Sequence, residues 1–179
     1  MKLPDAITTE RLTIRPFRAG DLDSFLSFML DESATRYLMF SDEQKTPEGA
    51  QGLFEFVMAS YATDQPVFAY AFAMKDQEQF IGSCGLSEIS GGDVFECYYS
   101  LLPDYWKMGF ATEATRALIG YCFYNYTIKE ICAYMSPDNP NSAGVAERAG
   151  MKHRGTEVHP LFGNPARLYS ITRDMVDLS

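Results

Sequence analysis

The amino-acid sequence predicts a mixed α+β fold, a mostly antiparallel sheet of about six or seven strands carrying about four helices. Three observations carry this reading. Alternating polar and apolar residues open the chain and give way to two stretches with helical spacing. Three apolar runs separated by two polar turns, the second carrying Gly91-Gly92, then form a meander. Finally, the run Leu101-Leu102-Pro103-Asp104-Tyr105-Trp106-Lys107-Met108-Gly109-Phe110-Ala111-Thr112-Glu113-Ala114 leaves a strand, turns through Pro103 and Gly109, and becomes an amphipathic helix followed by another short strand.

Taken in order, Arg11 to Phe17 reads as a first strand with one buried face. Asp21 is placed to cap a helix whose apolar stripe is Leu22, Phe25, Leu26, Met29 and Leu30. The polar segment from Asp31 to Lys45 reads as loop. Thr46-Pro47-Glu48 combines a cap, a first-turn proline and an early acid, and starts a second helix buried through Ala50, Leu53, Phe54, Val57, Met58 and Tyr61. Strands follow at Val67 to Met74, Phe80 to Glu88 and Val94 to Leu102, joined by the turns at Lys75 to Glu78 and Ser90 to Asp93.

The helix after Gly109 is expected to bury Phe110, Ala114, Ala117, Leu118, Tyr121 and Cys122 and to turn Glu113, Arg116 and Asn125 to water. Because that helix intervenes, the strand Glu130 to Met135 should run parallel to the one before it, through a right-handed crossover. Asn139-Pro140 caps and opens a last helix that stops at Gly150. Met151 to Val158 and Arg167 to Thr172 close the sheet. No repeat, linker or low-complexity stretch is visible, so residues 1–179 are expected to form a single domain.

Composition narrows the function classes. Hydrophobic residues at 46% and charged residues at 22% belong to a folded globular protein rather than a disordered one. No apolar run approaches the roughly 20 residues that span a bilayer, and the N-terminus lacks a signal pattern, so a cytoplasmic location is expected. A net charge of −9 disfavours nucleic acid and favours cationic partners such as amines. Cys84, Cys97, Cys122 and Cys132 lie in apolar segments without metal-ligand spacing and are expected to be buried free thiols in a reducing compartment. His153 and His159 have no ligand spacing and read as surface residues; no metal site is expected.

The strand-to-helix turn has the physical attributes of a phosphate cradle: unpaired backbone N–H groups facing one way, and the positive end of a helix dipole. Its spacing is neither Walker A nor the dinucleotide glycine fingerprint. Trp106 to Ala111, ending x-x-Gly-x-Gly/Ala, resembles the acyl-CoA loop of the GCN5-related N-acetyltransferase (GNAT) superfamily. Other blocks are similar to its RimJ/RimL-type ribosomal-protein N-terminal acetyltransferase branch: Thr9-Glu10-Arg11-Leu12 with Ile14-Arg15, Glu96 with Tyr98, Pro103 through Ala114, Asn139-x-x-Ser142, Gly150-Met151, and Tyr169 to Arg173.

The resemblance implies an acetyl-CoA-dependent N-acetyltransferase acting on a primary amine, a protein N-terminus or a small amine, by direct attack in a ternary complex. It implies strands splayed at the acyl-CoA site, between the one ending at Leu101-Leu102 and Glu130 to Met135, with no metal, and it is compatible with a homodimer. Acetyl-CoA would be held by Leu101, Leu102, Trp106, Lys107, Met108, Gly109, Phe110, Ala111, Thr112, Asn139 and Ser142. Glu96 is the candidate base, a carboxylate in an apolar strand whose pKa burial would raise. Its other placements are a solvent-facing position or an arginine partner. Ser142 is the candidate acid for the departing sulfur, or merely caps the helix. Trp106 stacks on ligand or anchors packing, and of Tyr98 and Tyr99 one is expected in the core.

The sequence departs from the branch in three places. Lys107 and Met108 replace the usual glycine and basic residue. Gly144 stands where arginine is common, at a cost of about 1 kcal/mol against alanine in a helix. Ala146 stands where many members carry a tyrosine acid. These departures favour a second reading, a non-catalytic acyl-CoA-binding or interaction module.

Overall fold

The computed structural model describes residues 4–176. In chain order the elements are β1 (Ile7–Thr8), β2 (Leu12–Arg15), α1 (Leu22–Leu30), α2 (Glu32–Thr35), α3 (Pro47–Ser60), β3 (Phe68–Met74), β4 (Phe80–Ser90), β5 (Val94–Leu101), α4 (Phe110–Asn125), β6 (Glu130–Met135), α5 (Pro140–Arg148), β7 (Lys152–Val158) and β8 (Pro165–Thr172). The strands follow the order β1-β2-β3-β4-β5-β6-β8-β7. The pairs β1–β2, β2–β3, β6–β8 and β7–β8 are antiparallel, and β5–β6 is parallel. The expected mixed, mostly antiparallel sheet is present, with a two-residue strand and a one-turn helix beyond those expected.

Contacts divide the chain into two compact units, neither of them one continuous stretch: the described residues up to Gly85 with Tyr99–Phe110, and Leu86–Tyr98 with the described residues from Ala111 on. In the first unit, Phe17, Phe25, Phe28, Phe54 and Phe80 form an aromatic cluster with ring centroids 5.3 Å apart for Phe17–Phe25 and for Phe25–Phe54. Phe28 is buried, whereas the expected Leu30 is 45% exposed. The stripe of α1 is therefore rotated toward the rings and away from its last residue. In α3, Ala50, Phe54 and Val57 are buried and Leu53, Met58 and Tyr61 half-buried, as the spacing predicted.

β2 is buried on both faces, not one, because Thr13 and Arg15 are covered as well. Arg15 is 2% exposed and spends its guanidinium on Asp21 (2.7 and 3.0 Å), the Glu78 carboxylate (3.1 Å) and the Glu78 carbonyl (3.0 Å). Asp21, which also accepts the Arg18 N–H at 2.8 Å, is thus committed to this ion pair, and no helix N–H caps on it. The segment from Asp31 to Lys45 is not all loop. The Asp31 carboxylate accepts the Ser33 and Ala34 N–H groups (2.8 and 2.9 Å) and nucleates α2. Thr46 caps α3 as expected, its hydroxyl accepting the Gly49 N–H at 3.1 Å.

In the second unit, β6 pairs with β8 along its whole length, from Glu130↔Thr172 to Met135↔Arg167. α4 buries Ala114, Leu118 and Cys122 as expected, and also Thr115, Ile119 and Phe123. The buried stripe is thus broader than expected; Ala117 and Tyr121 are half-buried, and so is Glu113, expected to turn to water. Arg116 and Asn125 face water. The guanidinium of Arg116 donates to the Arg148 carbonyl through Nε (2.8 Å) and Nη2, satisfying the end of α5. All four cysteines are buried free thiols. No helix among the described residues is long and apolar enough to cross a membrane.

A buried ion pair is costly to break, because the remaining charge stays desolvated. Asp21→Ala is expected to lower unfolding free energy by about 3 kcal/mol or more, read from the midpoint of a urea transition, and Asp21→Asn by less. An unchanged midpoint for Asp21→Ala would show that Glu78 alone satisfies Arg15.

Candidate active site

The cradle is built by a chain that must leave β5 and enter α4 within a few residues. After Leu101 a 3-10 turn spans Pro103–Tyr105, closed by the Trp106 N–H on the Pro103 carbonyl (3.1 Å). The Trp106 indole N–H donates to the Leu101 carbonyl at 2.7 Å, so the ring is pinned to the strand it follows while 39% exposed. Lys107 then takes φ 62° and Gly109 φ 84°, both left-handed. Glycine accepts this freely, but a residue with a Cβ loses about 1–2 kcal/mol. Lys107 is therefore a strained residue where glycine is usual. The Met108 carbonyl accepts the Arg11 Nη1 at 3.0 Å, and the Arg11 guanidinium lies 4.4 Å over the Phe110 ring. Arg11, unassigned from sequence, anchors the turn.

Lys107, Met108 and Gly109 are exposed, Ala111 is half-buried, and Phe110 and Thr112 are buried. The exposed Gly109 backbone, bare of any Cβ, and the first-turn N–H groups of α4 suit a diphosphate, which needs closely approaching donors. Leu101 is buried. Leu102, expected among the acetyl-CoA contacts, has its N–H committed to the Ile81 carbonyl at 2.9 Å.

β5 and β6 pair in parallel from Val94↔Glu130 to Glu96↔Cys132. The ladder ends there, although β5 continues to Leu101 and β6 to Met135. Glu96 is the last residue of β5 paired with β6. Its side chain is 14% exposed and faces neither solvent nor an arginine: both carboxylate oxygens lie against the Nε2 of His159, at 3.1 and 3.2 Å. Burial pushes the Glu96 carboxyl above the usual range, and the imidazole and a backbone hydrogen bond at Tyr134 offset part of this. The reading of His159 as a surface residue is thus corrected, since it is 4% exposed. His153 is exposed as expected. Nothing local marks His159; it sits in a Pro160, Gly163 and Asn164 turn far along the chain. Tyr98 and Tyr99 are both half-buried, and the core position between strands falls to Cys97 instead.

α5 is started by Asn139, whose side-chain oxygen accepts the Ser142 N–H at 3.1 Å. Asn139 and Ser142 are therefore brought together as cap and first turn, with Ser142 half-buried. A Cβ added at Gly144 would lie 3.0 Å from the Arg148 Nη1. The Arg148 guanidinium occupies the place a side chain at 144 would take, and its Nε reaches the Thr112 hydroxyl at 3.3 Å, in the first turn of α4. Among the described residues no group of three or more His, Cys, Asp or Glu is arranged to hold a metal ion.

Comparison with known proteins agrees with this arrangement. The family model described as acetyltransferase (GNAT) domain matches residues 11–152. The chain is 26% identical to the uncharacterized N-acetyltransferase p20 of Bacillus licheniformis over 155 residues, 84% of each chain. It superposes with TM-score 0.80 and 22% identity on an acetyltransferase (GNAT family) from Bacillus anthracis, covering 94% of this chain and 99% of that one. It also superposes with TM-score 0.77 and 14% identity on RimL, a ribosomal-protein alpha-N-acetyltransferase in complex with coenzyme A, covering 96% and 99%. A glycine-containing turn into α4, a parallel β5–β6 ladder that stops at Glu96, and a family match across most of the chain lead to one conclusion: this protein belongs to the GNAT acetyltransferases.

Proposed function

We propose that the chain transfers the acetyl group of acetyl-CoA to a primary amine, with Glu96 as base, in one cytoplasmic N-acetyltransferase domain. The observation that carries this reading is the end of the β5–β6 ladder at a buried carboxylate. Acetyl-CoA supplies an activated thioester. The amides from Lys107 to Thr112 hold its diphosphate, Trp106 and Leu101 frame the turn, and the backbone of β5 past Glu96 lines the pantetheine arm together with Asn139. An amine reaches its nucleophilic form only after losing a proton. A buried carboxylate with a raised pKa accepts that proton directly or through one water. Ser142, in the first turn of α5, is the candidate proton source for the sulfur. The four buried thiols suit a reducing compartment.

The acceptor we favour is the alpha-amino group of a protein or peptide, the class named for RimL, which shares the fold. The net charge of −9 is favourable for cationic acceptors generally. Thiol release from acetyl-CoA against short peptides with free N-termini, a polyamine and an aminoglycoside tests the reading. Turnover on one acceptor is expected, whereas acetyl-CoA binding with no turnover on any would favour a non-catalytic module.

Arg148, which lies over Gly144 and reaches the first turn of α4, stands in for the arginine that is common at position 144 and is placed to give acetyl-CoA a basic contact. Arg148→Ala is expected to weaken acetyl-CoA about tenfold, equivalent to about 1.4 kcal/mol, with the difference shrinking at high salt. Calorimetric titration at two ionic strengths reads this, and an unchanged Kd would remove Arg148 from the binding site.

Glu96→Gln is expected to lower kcat/KM by about 100-fold or more, the usual contribution of a general base, with acetyl-CoA affinity retained. In the parent enzyme kcat/KM should rise with pH through an ionisation lying above the ordinary carboxylate range, because Glu96 works only when deprotonated and burial raises its pKa. That limb should vanish in the variant. An unaltered rate and pH profile would exclude Glu96.

A further inference from the structure

His159 opens the turn between β7 and β8, and its own backbone closes that turn: the His159 N–H donates to the Asn164 carbonyl (2.8 Å) and the Gly163 N–H to the His159 carbonyl (2.9 Å). The side chain folds back over the same turn. Its Nδ1 accepts the N–H of Leu161 at 3.1 Å and of Phe162 at 3.3 Å. A ring nitrogen that accepts two backbone donors has no room for a proton of its own, so the neutral ring carries its hydrogen on Nε2. That nitrogen is the one against Glu96. The rings of Tyr134 and Phe162 flank the imidazole with centroids 4.7 and 4.6 Å away. Two backbone donors, two ring contacts and near-complete burial leave the imidazole one orientation.

We infer that His159 is a positioning residue for the reaction: with its tautomer set by the Leu161 and Phe162 amides, it donates Nε2–H to Glu96 and holds that carboxylate in one working orientation. The inference rests on the reading of Glu96 as the base. Its logic is the choice of donor. An arginine partner would orient the carboxylate equally well, but its full charge would stabilise the ionised form and weaken it as a proton acceptor. A neutral imidazole N–H steadies the group without that charge. The proton lost by the amine goes to the free lone pair of Glu96, while the proton on Nε2 stays where it is, and His159 touches neither substrate.

Four enzymes separate these roles: His159→Phe, which keeps a ring and removes the donor, His159→Gln, which keeps an N–H donor, Glu96→Gln, and the double variant Glu96→Gln/His159→Phe. With the best acceptor of the amine panel, His159→Phe is expected to lose about 10- to 100-fold in kcat, the size seen when an outer hydrogen-bond partner of a working group is removed. The KM for acetyl-CoA and its Kd should stay within about twofold, and His159→Gln should recover most of the loss. Because His159 acts through Glu96, the double variant should be no slower than Glu96→Gln alone. If Glu96→Gln is unimpaired, the base assignment itself fails. If Glu96→Gln is impaired and His159→Phe is not, or the two losses multiply, the inference alone is overturned. A direct measurement independent of turnover and of variant folding is the 15N spectrum of the imidazoles in the parent enzyme. His159 is expected to show the Nε2–H tautomer, and the Nδ1–H tautomer would overturn the proposal.

Discussion

The constraint on which the rest of the structure depends is the parallel pairing of β5 with β6. Two parallel neighbours cannot be joined by a tight turn, so the chain must leave the sheet, run back as a helix and return. That requirement produces α4 and a change of direction after Leu101, which this chain makes with left-handed backbone at Lys107 and Gly109. The same ladder fixes Glu96 opposite Cys132 as the last paired residue. The cradle and the carboxylate are thus two ends of one topological necessity rather than separate devices.

Side chains then stabilise what the topology strains. The Trp106 indole is tied to the Leu101 carbonyl and Arg11 to the Met108 carbonyl, so both shoulders of the turn are hydrogen-bonded. A lysine in a left-handed position is tolerated when its neighbours determine the backbone this firmly. Along the first half of α4, Arg116 closes α5 by binding its last carbonyl, and Arg148 spreads over the bare backbone of Gly144 toward Thr112. The glycine that seemed a loss in sequence is the space the neighbouring guanidinium fills.

Much of this was legible from residues alone, for reasons that are local. Alternation marked the first strand and apolar runs between turns marked the others, Thr46-Pro47 and Asn139-Pro140 carried their caps in adjacent positions, and the intervening helix dictated parallel pairing of β6. Glu96 stood out because a carboxylate in an apolar strand needs a reason. What remained hidden depended on distant partners. Asp21 sits where a cap belongs but is taken by Arg15, a charged residue buried in β2. His159 lies in a turn built on Pro160, Gly163 and Asn164, and the closing of that turn over Leu161 and Phe162 sets the ring that meets Glu96. Arg148 reads as an ordinary last-turn cation until Gly144 is seen beneath it.

The central claim, that the turn from Lys107 into α4 binds the diphosphate of acetyl-CoA through its main chain, is tested most directly by hydrogen exchange with and without saturating acetyl-CoA. The account predicts slowed exchange at the amides from Lys107 to Thr112. Protection elsewhere with exchange at these amides unchanged would contradict it.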